Sequence, residues 1–119
     1  VVEDEPTVRR LLCGILQKYG YRVLEATDAE EAFALFRRSP EPIDLLLTDV
    51  IMPEVDGRAV AEQLVSEQPD LKVLYVSGYP DDFLGDRGIL PETTNFLSKP
   101  FTPKTLISKV RTVLDEKPV

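Results

Sequence analysis

The chain has 119 residues, 43% of them hydrophobic and 29% charged, with a net charge of −7. That is enough apolar material for one core in one domain. The negative balance repels nucleic-acid phosphates and anionic lipid, so neither direct nucleic-acid binding nor membrane contact by this segment is expected. With no histidine and a single cysteine, Cys13, a Ser/His/Asp triad, a histidine-ligated zinc site, a phosphohistidine and an internal disulfide are excluded. There is no run of 18 apolar residues and no signal peptide. A soluble domain is therefore expected, and the lone thiol suits a reducing cytoplasm.

In chain order, "VV" at Val1 and Val2 reads as the stub of a first strand. A strand usually needs about five residues, so the start is expected to cut through an element of something longer. From Val8, apolar residues at Leu11, Leu12, Ile15, Leu16 and Tyr19 predict a helix stopped by Gly20. "YRVLEA" predicts the second strand. Asp28 with Glu31 three residues on predicts a capping box opening a helix that buries Ala32, Phe33 and Phe36. "IDLLLT" predicts a third strand covered on both faces. After Gly57 a helix carries Ala59, Val60, Leu64 and Val65, with Pro69 beyond it. "LKVLYVS" predicts the fourth strand. In "GYPDDFLGDRGILPE" the glycines and prolines leave room only for a short, weak helix. "TNFLS" predicts the fifth strand. Thr102, with Pro103 behind it, caps a last helix whose inner face is Leu106, Ile107, Val110, Val113 and Leu114. No repeat, low-complexity tract or interdomain linker is found within residues 1–119, so one domain is expected, with 115–119 as a tail or linker.

Strands alternating with helices of this length imply an α/β domain with a parallel sheet covered on both sides. Ligands of such a sheet sit beyond the carboxyl ends of its strands. At that edge the first strand delivers Glu3 and Asp4, the third Asp49, the fourth Ser77 and the fifth Lys99. Each alone has an ordinary explanation: a solvated acidic turn, a loop cap, turn chemistry before Gly78, a common Lys-Pro loop. Their joint placement at four strand ends is the signal. Crowded carboxylates repel unless a cation joins them. With all-oxygen ligands the preferred ion is Mg²⁺, which keeps waters and takes phosphate oxygens, so phosphoryl chemistry is implied.

"VVEDEP", "LLLTDVIMPEVDG", "YVSGY" and "FLSKPF" resemble the response-regulator receiver domains of two-component signalling, in order and spacing along the whole chain. The resemblance implies a flavodoxin-like doubly wound sheet of five parallel strands in the order 2-1-3-4-5. It implies that Asp49 is the phosphoacceptor for a phosphohistidine on a histidine kinase or phosphotransfer domain, in the same chain or another. Asp4 and Asp49 would hold Mg²⁺ with the backbone carbonyl of Ile51, and Glu3 would stand behind Asp4. Ser77 and Lys99 would bind phosphoryl oxygens, and the Lys99–Pro100 peptide would be cis. Phe96 is either a plain core phenylalanine or the switch aromatic that rotates inward when Ser77 moves. The responding surface would comprise the fourth helix, fifth strand and fifth helix. Ile51 and Tyr79 would flank the phosphoryl group, where their bulk hinders an attacking water. Cys13 is expected to be a small core hydrophobe rather than a redox sensor.

Two other classes compete with this reading. A magnesium-dependent phosphohydrolase of the haloacid-dehalogenase kind also uses an aspartate at a strand end. It needs a second aspartate two residues later, where this chain has Ile51. A degenerate receiver acting only as a binding surface would lack the acidic pair, the acceptor or the lysine, and none is missing. "YVSGYPDD" and "FLSKPFTPKTLISKVRTVLDE" look like receivers at the C-terminus of hybrid sensor histidine kinases. The domain is not expected to be a stand-alone enzyme.

Overall fold

A computed structural model of the chain describes residues 1–49, 57–77, 95–98 and 101–115. Among the described residues, helices α1 (Pro6–Lys18), α2 (Ala29–Arg38), α3 (Gly57–Glu67) and α4 (Pro103–Leu114) surround strands β1 (Leu45–Asp49), β2 (Lys72–Ser77) and β3 (Phe96–Ser98). The strands form a parallel ladder in the order β1-β2-β3. Val2 extends it, bridging in parallel to Thr48 on one side and Ala26 on the other. Spatially the chain therefore runs second, first, third, fourth, fifth, the doubly wound order expected.

Period-two alternation explains why this sheet is buried on both faces. Leu46, Tyr75 and Phe96 pack toward α2 and α3 with Val60, Ala61 and Leu64. Leu47, Leu74, Val76 and Leu97 pack toward α1 and α4 with Leu12, Leu16, Leu106, Val110 and Val113. Cys13 is buried, and that burial, with the nearby charge of Glu25, pushes its thiol pKa up. It behaves as the small core residue expected.

Local chemistry sets the helix ends. Glu5 caps α1, its side chain accepting from the Thr7 amide, with Pro6 in the first turn; the helix ends before Gly20, whose φ is 91°. Asp28 caps α2 by accepting from the Glu31 amide at 2.8 Å. The return half of the expected box is replaced, because the Glu31 carboxylate accepts from Thr27 Oγ1 at 3.2 Å instead. Thr102 caps α4 through the Thr105 amide at 3.1 Å. Between α2 and α3, Arg37 grips Glu67 through two bonds of 3.2 and 3.1 Å. That grip holds the Glu67 carboxyl below the usual carboxylate range.

Two expectations need correction. The stripe on α1 is narrower than its apolar residues suggest, since Leu11 is 51% and Tyr19 55% exposed while Leu12, Ile15 and Leu16 are buried. At about 100° per residue, a face centred on Leu12 and Leu16 turns Leu11 outward. The segment at residues 21–26 forms only the bridge at Ala26 rather than a full strand. A ladder needs a partner backbone, and residues 1–3 supply three rungs. The segment at 78–94 and the tail at 116–119 lie outside the described residues.

Leu74 is fully buried and Leu11 half exposed. Leu74→Ala should therefore cost about 2–5 kcal/mol in urea unfolding, and Leu11→Ala within about 0.5 kcal/mol. Equal losses would contradict this assignment of the α1 face.

Candidate functional site

The site forms where the central strand and β1 end together. The Val2 amide donates to Leu47 O at 2.8 Å and the Asp49 amide to Val2 O at 3.1 Å, while the Glu3 amide turns the other way to Ala26 O at 3.1 Å. These bonds lock the backbone on both sides of the acidic turn. Glu3, Asp4 and Asp49 consequently bring their carboxylates together, with one oxygen from each within 4.8 Å of the others. Glu3 is 1% exposed; Asp4 faces solvent and Asp49 is partly buried. Three like charges at this separation repel by an amount that depends steeply on local solvent. The donor set is all oxygen and anionic, which suits a hard divalent cation.

Two side chains that the sequence reading did not single out, together with Gly57, complete the surroundings. Arg9, on the first turns of α1, donates from Nη1 to the Glu3 carbonyl at 3.1 Å. Its Nε pairs with Glu25 at 3.5 Å, so one guanidinium ties the acidic turn to the neighbouring segment. Thr48, 1% exposed, donates its hydroxyl to the Asp49 carbonyl at 3.0 Å. Gly57, the first residue of α3, lies against that same carbonyl. A signal existed for Thr48. In "LLLTD" the alternation puts a hydroxyl at an inward position where an aliphatic residue would serve a plain core.

Phe96 is partly buried, packs on the α2–α3 side of the sheet and pairs in register with Tyr75. Ser77 closes β2, and its backbone registers with Ser98. The Ser77 side chain, together with Ile51, Tyr79, Lys99 and Pro100, lies outside the described residues. Among the described residues no helix is long and apolar enough to cross a membrane.

A parallel doubly wound sheet with an acidic cluster at its carboxyl edge defines a class of α/β domain that meets its ligand at the strand ends. The chain belongs to the response regulator receiver domain family, whose sequence model matches residues 1–111. It is 34% identical to the response regulator receiver protein CpdR of Brucella abortus, over 96% of this chain and 93% of that one. It is 35% identical to the sensor kinase CckA of the same organism, over 98% of this chain but 12% of the kinase. The crystal structure of the receiver domain from the hybrid histidine kinase CckA superposes with a TM-score of 0.76 at 36% identity, covering 96% of this chain and 95% of that one. The chain is thus a receiver domain of two-component signalling, and the hydrolase alternative is set aside. It spans under half of several transcriptional regulators that it also matches.

Removing one charge from the cluster relieves repulsion. Asp4→Asn should raise the melting temperature of the metal-free protein by roughly 2–4 °C, with the gain shrinking as salt is added. A lowered melting temperature in chelator would show instead that Asp4 supports the fold.

Proposed function

We propose that Asp49 accepts a phosphoryl group from a phosphohistidine. The observation that carries this reading is the meeting of Glu3, Asp4 and Asp49 at one sheet edge, in a chain of the receiver family. Asp49 sits at the last position of a core strand. Its nucleophilic oxygen is therefore presented by a rigid backbone rather than a loop, which favours a near-attack geometry. An Asp49 oxygen attacks phosphorus, an O–P bond forms as the P–N bond of the donor breaks, and the departing imidazole nitrogen takes up a proton.

Asp4 and Asp49 would hold Mg²⁺ with the Ile51 carbonyl, and Glu3 would support the arrangement from its buried position. When bound, the ion supplies neutralising charge for the transferring phosphoryl group. Lys99 would offset the charge on a second oxygen and Ser77 would donate to a third. Ser77 and Phe96 would act together as the switch, with Ile51 and Tyr79 shielding the acyl phosphate from water. This chain has no histidine, so the donor is a separate histidine kinase or phosphotransfer domain, in the same polypeptide or another. Its similarity to a stand-alone receiver and to one inside a sensor kinase supports a cytoplasmic placement in either setting. Phosphorylation, adding about −1.5 to −2 charge, would be read out through the surface expected from the sequence, of which β3 and α4 are described and the preceding short helix falls within 78–94, outside the described residues.

Incubation with acetyl phosphate and Mg²⁺, followed by intact mass, should show one phosphoryl adduct, absent in Asp49→Asn. Turnover without adduct, or no reaction, would overturn the assignment. Asp4→Asn should weaken Mg²⁺ binding at least about 10-fold, measured by titration calorimetry. An unchanged affinity would remove Asp4 from the ion's ligands.

A further inference from the structure

We propose that Thr48 and Gly57 are positioning residues that together form a slot for the main-chain carbonyl of Asp49, and through it aim the Asp49 carboxylate. The proposal deepens the phosphoacceptor reading and rests on it for its kinetic test.

The Asp49 peptide is held on two sides. Its amide donates to Val2 O at 3.1 Å, which fixes it to the central strand. Its carbonyl accepts from Thr48 Oγ1 at 3.0 Å. Against the same oxygen stands Gly57, at the start of α3. A methyl group built on Gly57 would collide with the Asp49 carbonyl oxygen and stand 2.9 Å from its carbonyl carbon and 3.1 Å from Thr48 Oγ1. The obstructing atoms are backbone, so no side-chain rotation relieves the clash. The strand end or the helix start must move. Gly57 is needed here for close approach rather than for a positive φ.

With the amide and carbonyl both pinned, the Cα–Cβ direction of Asp49 follows, and it leads toward Glu3 and Asp4. A reacting group displaced by about 1 Å can lose on the order of 100-fold in rate. The slot therefore acts on orientation and touches no reacting atom. Thr48 is almost completely buried, so its hydroxyl has little access to water as an alternative acceptor.

The test compares acetyl phosphate labelling rates at saturating Mg²⁺ for wild type, Thr48→Val, Thr48→Ser and Gly57→Ala. Thr48→Val, similar in shape but without the hydroxyl, should be about 10-fold slower. Thr48→Ser keeps the donor and should restore the rate to within about 2-fold. Gly57→Ala should be about 100-fold slower, with circular dichroism showing it folded. If Gly57→Ala does not fold, the Thr48 pair decides. A Thr48→Val rate equal to wild type, or Thr48→Ser as slow as Thr48→Val, overturns the slot. If wild type itself takes no phosphoryl group, the acceptor reading fails instead, and the slot is judged by the ¹³C carbonyl shift of residue 49. A shift that moves in Thr48→Val and not in Thr48→Ser supports it; an unmoved shift overturns it.

Discussion

Three residues at the start of the chain hydrogen-bond in alternate directions, and the site depends on that alternation. The Val1 ammonium nitrogen donates to Leu24 O at 2.8 Å, and the Glu3 amide donates to Ala26 O. Between them Val2 bonds to Leu47 and Asp49 on the opposite side. A central strand in a parallel sheet has no other way to satisfy its amides and carbonyls away from water. By bonding both neighbours, it sets where the acidic turn emerges relative to the tip of β1. A one-residue slip would exchange the two faces and carry Glu3 away from Asp49.

Packing on both faces restricts where chemistry can occur. The sheet surfaces are occupied by apolar side chains of the described helices, so polar groups gather at the strand ends. Two exceptions prove informative. Glu3 and Thr48 are the buried polar or charged side chains among the described residues, and both adjoin the acidic turn. Burying a carboxylate beside two others costs stability unless partners or a cation compensate. A plain core would use apolar residues at both positions, so their presence follows the needs of the site rather than of the fold.

The same division explains the supporting contacts. Arg9 spends its guanidinium on the Glu3 carbonyl and on Glu25, holding a turn that would otherwise be loose at the sheet edge. The Arg37–Glu67 fork joins α2 to α3 on the surface, where solvent screening limits its worth. Both are arginine contacts, yet one shapes the acidic turn while the other only links two helices.

Much of the architecture was legible in the residues. The helix caps Asp28 and Thr102, the stop at Gly20 and the inward alternation of "LLLTD" and "VLYVS" are local, so short-range chemistry alone determined them. The convergence of Glu3, Asp4 and Asp49 could also be anticipated, because residues leaving parallel strands share one edge. The outward turn of Leu11 and the Thr27–Glu31 bond could not. Each depends on which neighbour lies within reach, a matter of tertiary distance rather than of sequence spacing. Gly57 shows the boundary most clearly. Its place after an aspartate reads as turn chemistry, and only the folded chain brings it against the carbonyl of Asp49, because eight positions of sequence separation become van der Waals contact when α3 docks on the end of β1.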